Sequence, residues 1–206
     1  MGNYIGWKGL TDIGWETGGL TPLAETVVTH DASSVATIDF TFLSSYDQYE
    51  FRYYNVNPDT DAAHWSFQVN DTADVGGDFD VCTATTANWT AYQDEAGSSS
   101  VGGITNNTHE IASSDASAFI TLFDSCGNGV FESVAGALTI WGVHTAKYKI
   151  FQNVGSYTLS ADKAANTQVL GYIFDTTPLD AIRFKFSSGS FTGIVRMYGV
   201  DYHGVS

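Results

Sequence analysis

Carboxylates are the most abundant reactive groups in this chain, 23 Asp and Glu against 8 Lys and Arg, for a formal net charge of −15. Two carboxyls roughly 5–9 Å apart in a cleft can cleave a glycosidic bond as acid and base. An acidic chain offers many chance pairs, however, and no spacing singles one out. Asp59-Thr60-Asp61, Asp71-Thr72-Ala73-Asp74 and Asp78-Phe79-Asp80 gather the hard oxygen donors that calcium prefers. Asp124-Ser125-Cys126-Gly127-Asn128-Gly129 opens like a calcium loop, but Ala135 stands where its bidentate Glu belongs. These segments read as solvated acidic turns. His30, His64, His109, His144 and His203 are dispersed and lack the i, i+4 spacing of a helical zinc site. There is no Gly-x-Ser-x-Gly elbow; Gly97-Ser98-Ser99-Ser100 and Ser187-Ser188-Gly189-Ser190 are turn sequences. Cys82 and Cys126 form no CxxC pair and are expected as free buried thiols. No catalytic residue, metal ligand or cofactor is expected.

Binding chemistry is better represented. Trp89, beside Asn88 and before Tyr92, is the candidate for stacking on a glycan. Trp65 and Trp141 sit within strand alternation and are expected in the core. The basic residues Lys8, Arg52, Lys147, Lys149, Lys163, Arg183, Lys185 and Arg196 are scattered, which argues against nucleic acid and anionic membrane as partners. The acidic balance suits a protein that stays soluble in salty water. Neither a signal peptide nor a membrane-spanning run is evident.

Residues 1–25 read as a Gly-rich N-terminal arm. Ile5-Gly6-Trp7 and Ile13-Gly14-Trp15 nearly repeat, and so much glycine does not sustain a helix. Ile5, Trp7, Leu10, Ile13, Trp15 and Leu20 are the expected anchors of this arm against a neighbour. Residues 26–206 form the expected domain. Ile38, Phe40 and Phe42 alternate with Asp39 and Thr41, and Tyr49, Phe51 and Tyr53 alternate with Glu50 and Arg52. This period of two marks strands with one buried face. Ile182, Phe184 and Phe186 repeat the pattern, and after Ser187-Ser188-Gly189-Ser190 a further run, Ile194 to Val200, predicts a β-hairpin. Further strands are expected at 63–69, 81–91, 118–123, 129–132, 137–143, 147–154, 157–159 and 168–174. About ten short strands with polar turns predict an all-β fold, a jelly-roll-type β-sandwich.

The blocks Ile38-Asp39-Phe40-Thr41-Phe42, Ser45-Tyr46-Asp47-Gln48-Tyr49-Glu50-Phe51 and Asn55-Val56-Asn57-Pro58 resemble a stretch seen in structural proteins of tailed bacteriophages, especially marine ones. The closing run, Ala181 to Phe184 and Gly193 to Val200, is similar to the strand–turn–strand that ends the same proteins. The resemblance covers about 40 residues directly and implies a non-enzymatic virion protein. A capsid decoration (cement) protein on the particle surface is the first expectation. It would be made in the bacterial cytoplasm, bind the major capsid protein and copies of itself, and assemble as a homotrimer. The alternative is a tail-fibre module that recognises host surface glycans.

Overall fold

The computed structural model describes residues 19–28, 36–73, 79, 83–94, 99–100, 119–160 and 162–200. Among them are twelve strands and no helix: β1 (Leu20–Val28), β2 (Thr37–Thr41), β3 (Gln48–Pro58), β4 (Ala63–Asp71), β5 (Ala84–Asp94), β6 (Ser99–Ser100), β7 (Ile120–Cys126), β8 (Val134–Trp141), β9 (Lys149–Leu159), β10 (Lys163–Ile173), β11 (Leu179–Phe186) and β12 (Phe191–Val200). Every pairing is antiparallel.

Eight strands form two four-stranded layers, β1-β12-β3-β8 and β2-β11-β4-β7. Counted in chain order, the first pairs with the eighth, the eighth with the third and the third with the sixth. In the other layer the order is second, seventh, fourth, fifth. This is the interleaved strand order of a jelly roll, as expected. The remaining strands widen the first layer, in the order β8-β9-β10-β5-β6. A single bridge from Cys126 to Leu159 ties β7 to β9 where the layers meet.

Several local expectations change. The predicted C-terminal hairpin is not one: β11 pairs with β2 and β4, whereas β12 pairs with β1 and β3. The Ser187–Ser190 turn therefore carries the chain from one layer to the other. The expected arm boundary at residue 25 falls inside β1, where Leu20 already faces Val200. Residues 129–132 form a turn rather than a strand, and 147–154 and 157–159 merge into β9.

The core lies between the layers and is aromatic. Phe40 of β2 meets Phe51 of β3 with ring centroids 5.6 Å apart. Trp65 stacks on Phe184 at 5.6 Å and meets Phe191 edge-on at 5.0 Å. Each such ring stabilises the fold by about 1.5–3 kcal/mol through burial. Close approach needs small partners. Gly136 of β8 and Gly155 of β9 lie side by side beneath the Phe123 ring, and a Cβ at Gly155 would stand 2.5 Å from that ring. Tyr53 of β3 reaches past this gap to donate a buried hydrogen bond to Asn153 of β9.

The outer face of the second layer is partly covered. Asp39 takes a bidentate pair from Arg183 at 2.7 and 2.8 Å, and Phe79 lies over that guanidinium at 4.2 Å. Lys185 sits over Phe119 at 4.2 Å, and Ser66, Gln68 and Asn70 on the same face are buried.

Candidate docking face

An antiparallel sheet commonly buries one face and presents a polar one to water. β1, β12 and β3 follow that rule. Glu25 pairs with Arg196 and Glu50 with Arg52 at 2.6 Å. Arg52 lies over Tyr198 and Arg196 over Tyr54. β8, β9, β10 and β5 break the rule. Their charged residues are Lys149, Lys163 and Asp94. By strand parity all three belong with the inward-facing set of buried Phe151, Ala165 and Ala84. No outward position on these four strands carries a charge.

The register places these outward side chains in rows. One row crosses the whole sheet: Glu25, Arg196, Arg52, Ala137, Val154, Gln168, Trp89. Charge stops at Arg52. The row above it in the neutral half is Thr139, Gln152, Leu170, Ala87, and the next is Trp141, Ile150, Tyr172, Thr85. The centre is aliphatic and open to solvent: Ile150 is 59% exposed, Leu170 49% and Val154 45%. Water solvates these side chains poorly, and exposed apolar patches of this kind are candidates for interaction; Gln152, between Ile150 and Val154, is the polar position among them.

The two ends of this face differ. At one end Trp141, Ile150, Gln152, Leu170 and Tyr172 line a shallow, mainly apolar hollow of about 560 Å³, and Tyr148 extends it by stacking on Tyr172 at 6.0 Å. Beneath this end lies Lys149, fully buried, its ammonium donating to the carbonyls of Thr145, Lys147, Asp175 and Thr177 at 3.1, 3.1, 3.0 and 2.5 Å. One side chain thus clasps the loops before β9 and after β10. At the other end the β7–β8 turn holds Val130 and Phe131 in water, Phe131 at 99% exposure. That turn is braced. Glu132 accepts from the Gly129 amide, and Asn57 donates to the Gly129 and Glu132 carbonyls at 3.0 and 2.6 Å. Asn128 donates to the Asp59 carbonyl at 3.2 Å.

Of the residues expected to meet a glycan, Trp89 is on this face and 38% exposed. Asn88 and Tyr92 have the opposite parity on β5 and point to its other side, Tyr92 beneath the Lys163 ammonium at 5.0 Å. The three do not converge. Trp65 is core as expected, but Trp141 is on the outer face and only partly buried. Leu20 is part of β1, and the other arm anchors, Ile5, Trp7, Leu10, Ile13 and Trp15, lie outside the described residues.

Sequence reasoning missed Ile150, Val154, Leu170 and Phe131. The available signal was β9 itself: Ile150 beside Phe151, and Val154 near Tyr157, make it apolar on both parities. An antiparallel strand apolar on both faces has two surfaces to bury.

The other candidate chemistry is structural. His64 Nδ1 lies 2.7 Å from Asp124 Oδ1, and His144 Nε2 lies 2.9 Å from the Leu43 carbonyl. Among the described residues no three His, Cys, Asp or Glu side chains gather as metal ligands. Cys126 is free and buried, and burial pushes its thiol up to about 12, which keeps it unreactive; Cys82 lies outside the described residues. No protein-family model, curated protein or solved structure matches the chain.

Proposed function

We propose that this chain is a non-enzymatic structural protein of a phage particle, a capsid decoration protein that works by docking its uncharged sheet face. The observation that carries the reading is that face, neutral across four strands in a chain of net charge −15. Jelly rolls serve in viral capsids and in lectins alike, so the fold does not choose between them. The face favours a protein partner. Interface centres are depleted in charge and rich in apolar contact, as are Ile150, Val154 and Leu170. A cement protein holds neighbouring capsomers together against internal pressure. A stiff two-layered sandwich with one adhesive face suits that mechanical task, with the major capsid protein and copies of this chain as partners.

Immunogold labelling of intact particles tests the reading. Label spread over the head is expected. Label confined to the tail would overturn it in favour of receptor binding. One observation favours that second reading: Trp89 stands open on the face beside Gln168, an aromatic plane with an amide at its edge. On that reading Trp89→Ala abolishes host adsorption and leaves the fold intact.

A further inference from the structure

We propose that the neutral face binds a second copy of this chain head to tail, with Phe131 of one copy entering the hollow of Trp141, Ile150, Leu170 and Tyr172 on the next. The proposal rests on reading this face as a docking surface and names its occupant. Charge bears on the occupant first. Copies at −15 repel, and like charges brought together at an interface cost several kcal/mol. Phe131 lies near Asp94, Glu132 and Asp162, and the hollow, lined by no charged residue, receives it without setting carboxylate against carboxylate.

Shape selects it second. The chain carries both halves of one contact, a fully exposed phenyl ring and an apolar hollow of about 560 Å³. The turn that carries the ring is braced before binding by the Asn57, Asn128 and Glu132 hydrogen bonds, so its backbone needs little further ordering on docking. The two halves lie at opposite ends of β8, whose eight residues span about 25 Å at ~3.3 Å each. Phe131 therefore cannot reach the hollow of its own chain. A knob at one end and a hole at the other make a heterologous contact, which closes into a ring when the rotation permits. A rotation of one third of a turn gives the trimer.

Sedimentation of the full chain tests the proposal. The wild type is expected to associate as its concentration rises. Phe131→Ser removes the knob and Leu170→Lys fills the hollow with charge; each should weaken association by about 30-fold or more. Ile150→Lys replaces Leu170→Lys if the latter alters the circular dichroism. An equimolar mixture of the knob variant and the hollow variant should restore a one-to-one dimer, since each retains one intact half. A wild type that stays monomeric at every concentration overturns the proposal, as does a mixture that remains monomeric while the wild type associates. Displacement of copies by a neutral polysaccharide would assign the face to glycan instead. The docking reading fails separately: a monomer that still labels phage heads leaves it standing, and an oligomer absent from heads removes it.

Discussion

The two halves of the large sheet share one backbone surface and solve exposure in opposite ways. In β1, β12 and β3 outward carboxylates meet guanidinium groups, and those lie over Tyr54 and Tyr198. In β8, β9, β10 and β5 the outward side chains are Ala, Thr, Gln, Val, Ile, Leu, Tyr and Trp near the centre of the sheet, with no ion among them. Within one row the change occurs between Arg52 and Ala137, which are direct cross-strand partners. One half is finished against water and the other is not. The lesson is that a strongly acidic chain can still present an uncharged sheet face, provided its charge is excluded from whole strands rather than diluted everywhere.

The largest break in this comparison is expected at Lys149, the buried ion under the neutral half. Lys149→Met removes a donor shared by four carbonyls and should cost about 3 kcal/mol, since bonds from a charged donor contribute ~1.5–3 kcal/mol and orphaned carbonyls add a penalty. Thermal denaturation checks it, and a midpoint within a degree of wild type would refute the clasp. Next comes the seam between the halves. Tyr53→Phe leaves Asn153 without the buried hydroxyl and should cost about 1–3 kcal/mol, measured by urea unfolding.

The same seam responds to alkali. Burial raises Tyr53 well above its usual 10.0 and Cys126 from 9.0 to about 12. The unfolded chain therefore loses these protons first, and stability that is intact below pH 9.0 falls as pH rises toward about 12. Unfolding midpoints across that range should decline in the wild type and decline less in Tyr53→Phe. The smallest effect belongs to the charged half. Arg196→Ala breaks an exposed pair with Glu25 that solvent screens, so the unfolding midpoint should stay close to wild type, with self-association unchanged in sedimentation. A strong loss of association there would erase the distinction between the halves.

Much of this architecture was legible in the residue pattern, because period-two alternation depends only on one face being buried. Ile38-Phe40-Phe42, Tyr49-Phe51-Tyr53 and Ile182-Phe184-Phe186 are all core. Pairing was not legible. Phe184 and Val195 look the same whether their strands are neighbours or face each other across the sandwich, so a crossover reads as a hairpin. The uncharged outer face was hidden for a related reason: Ile150 and Val154 are indistinguishable from core residues until the opposite parity, Phe151 and Tyr157, is seen to fill the interior. Phe131 was misplaced because Val130 and Phe131 favour strands, while Glu132 folds back on Gly129 and makes the segment a turn.

The placement of β12 has a consequence for synthesis. The last described strand, β12, lies between β1 and β3, so β1 has no described partner in the sheet until β12 is available. A ribosome releases residues 191–200 only after β1 to β11 have emerged. Until then β1 lacks its partner, β3 presents an open edge, and the apolar strands β8 to β10 are already made. Folding of so non-local a topology is slow, and unpaired edges with exposed apolar surface invite aggregation. Completion of the sheet thus waits for β12, and the acidic surface keeps incomplete chains apart until then.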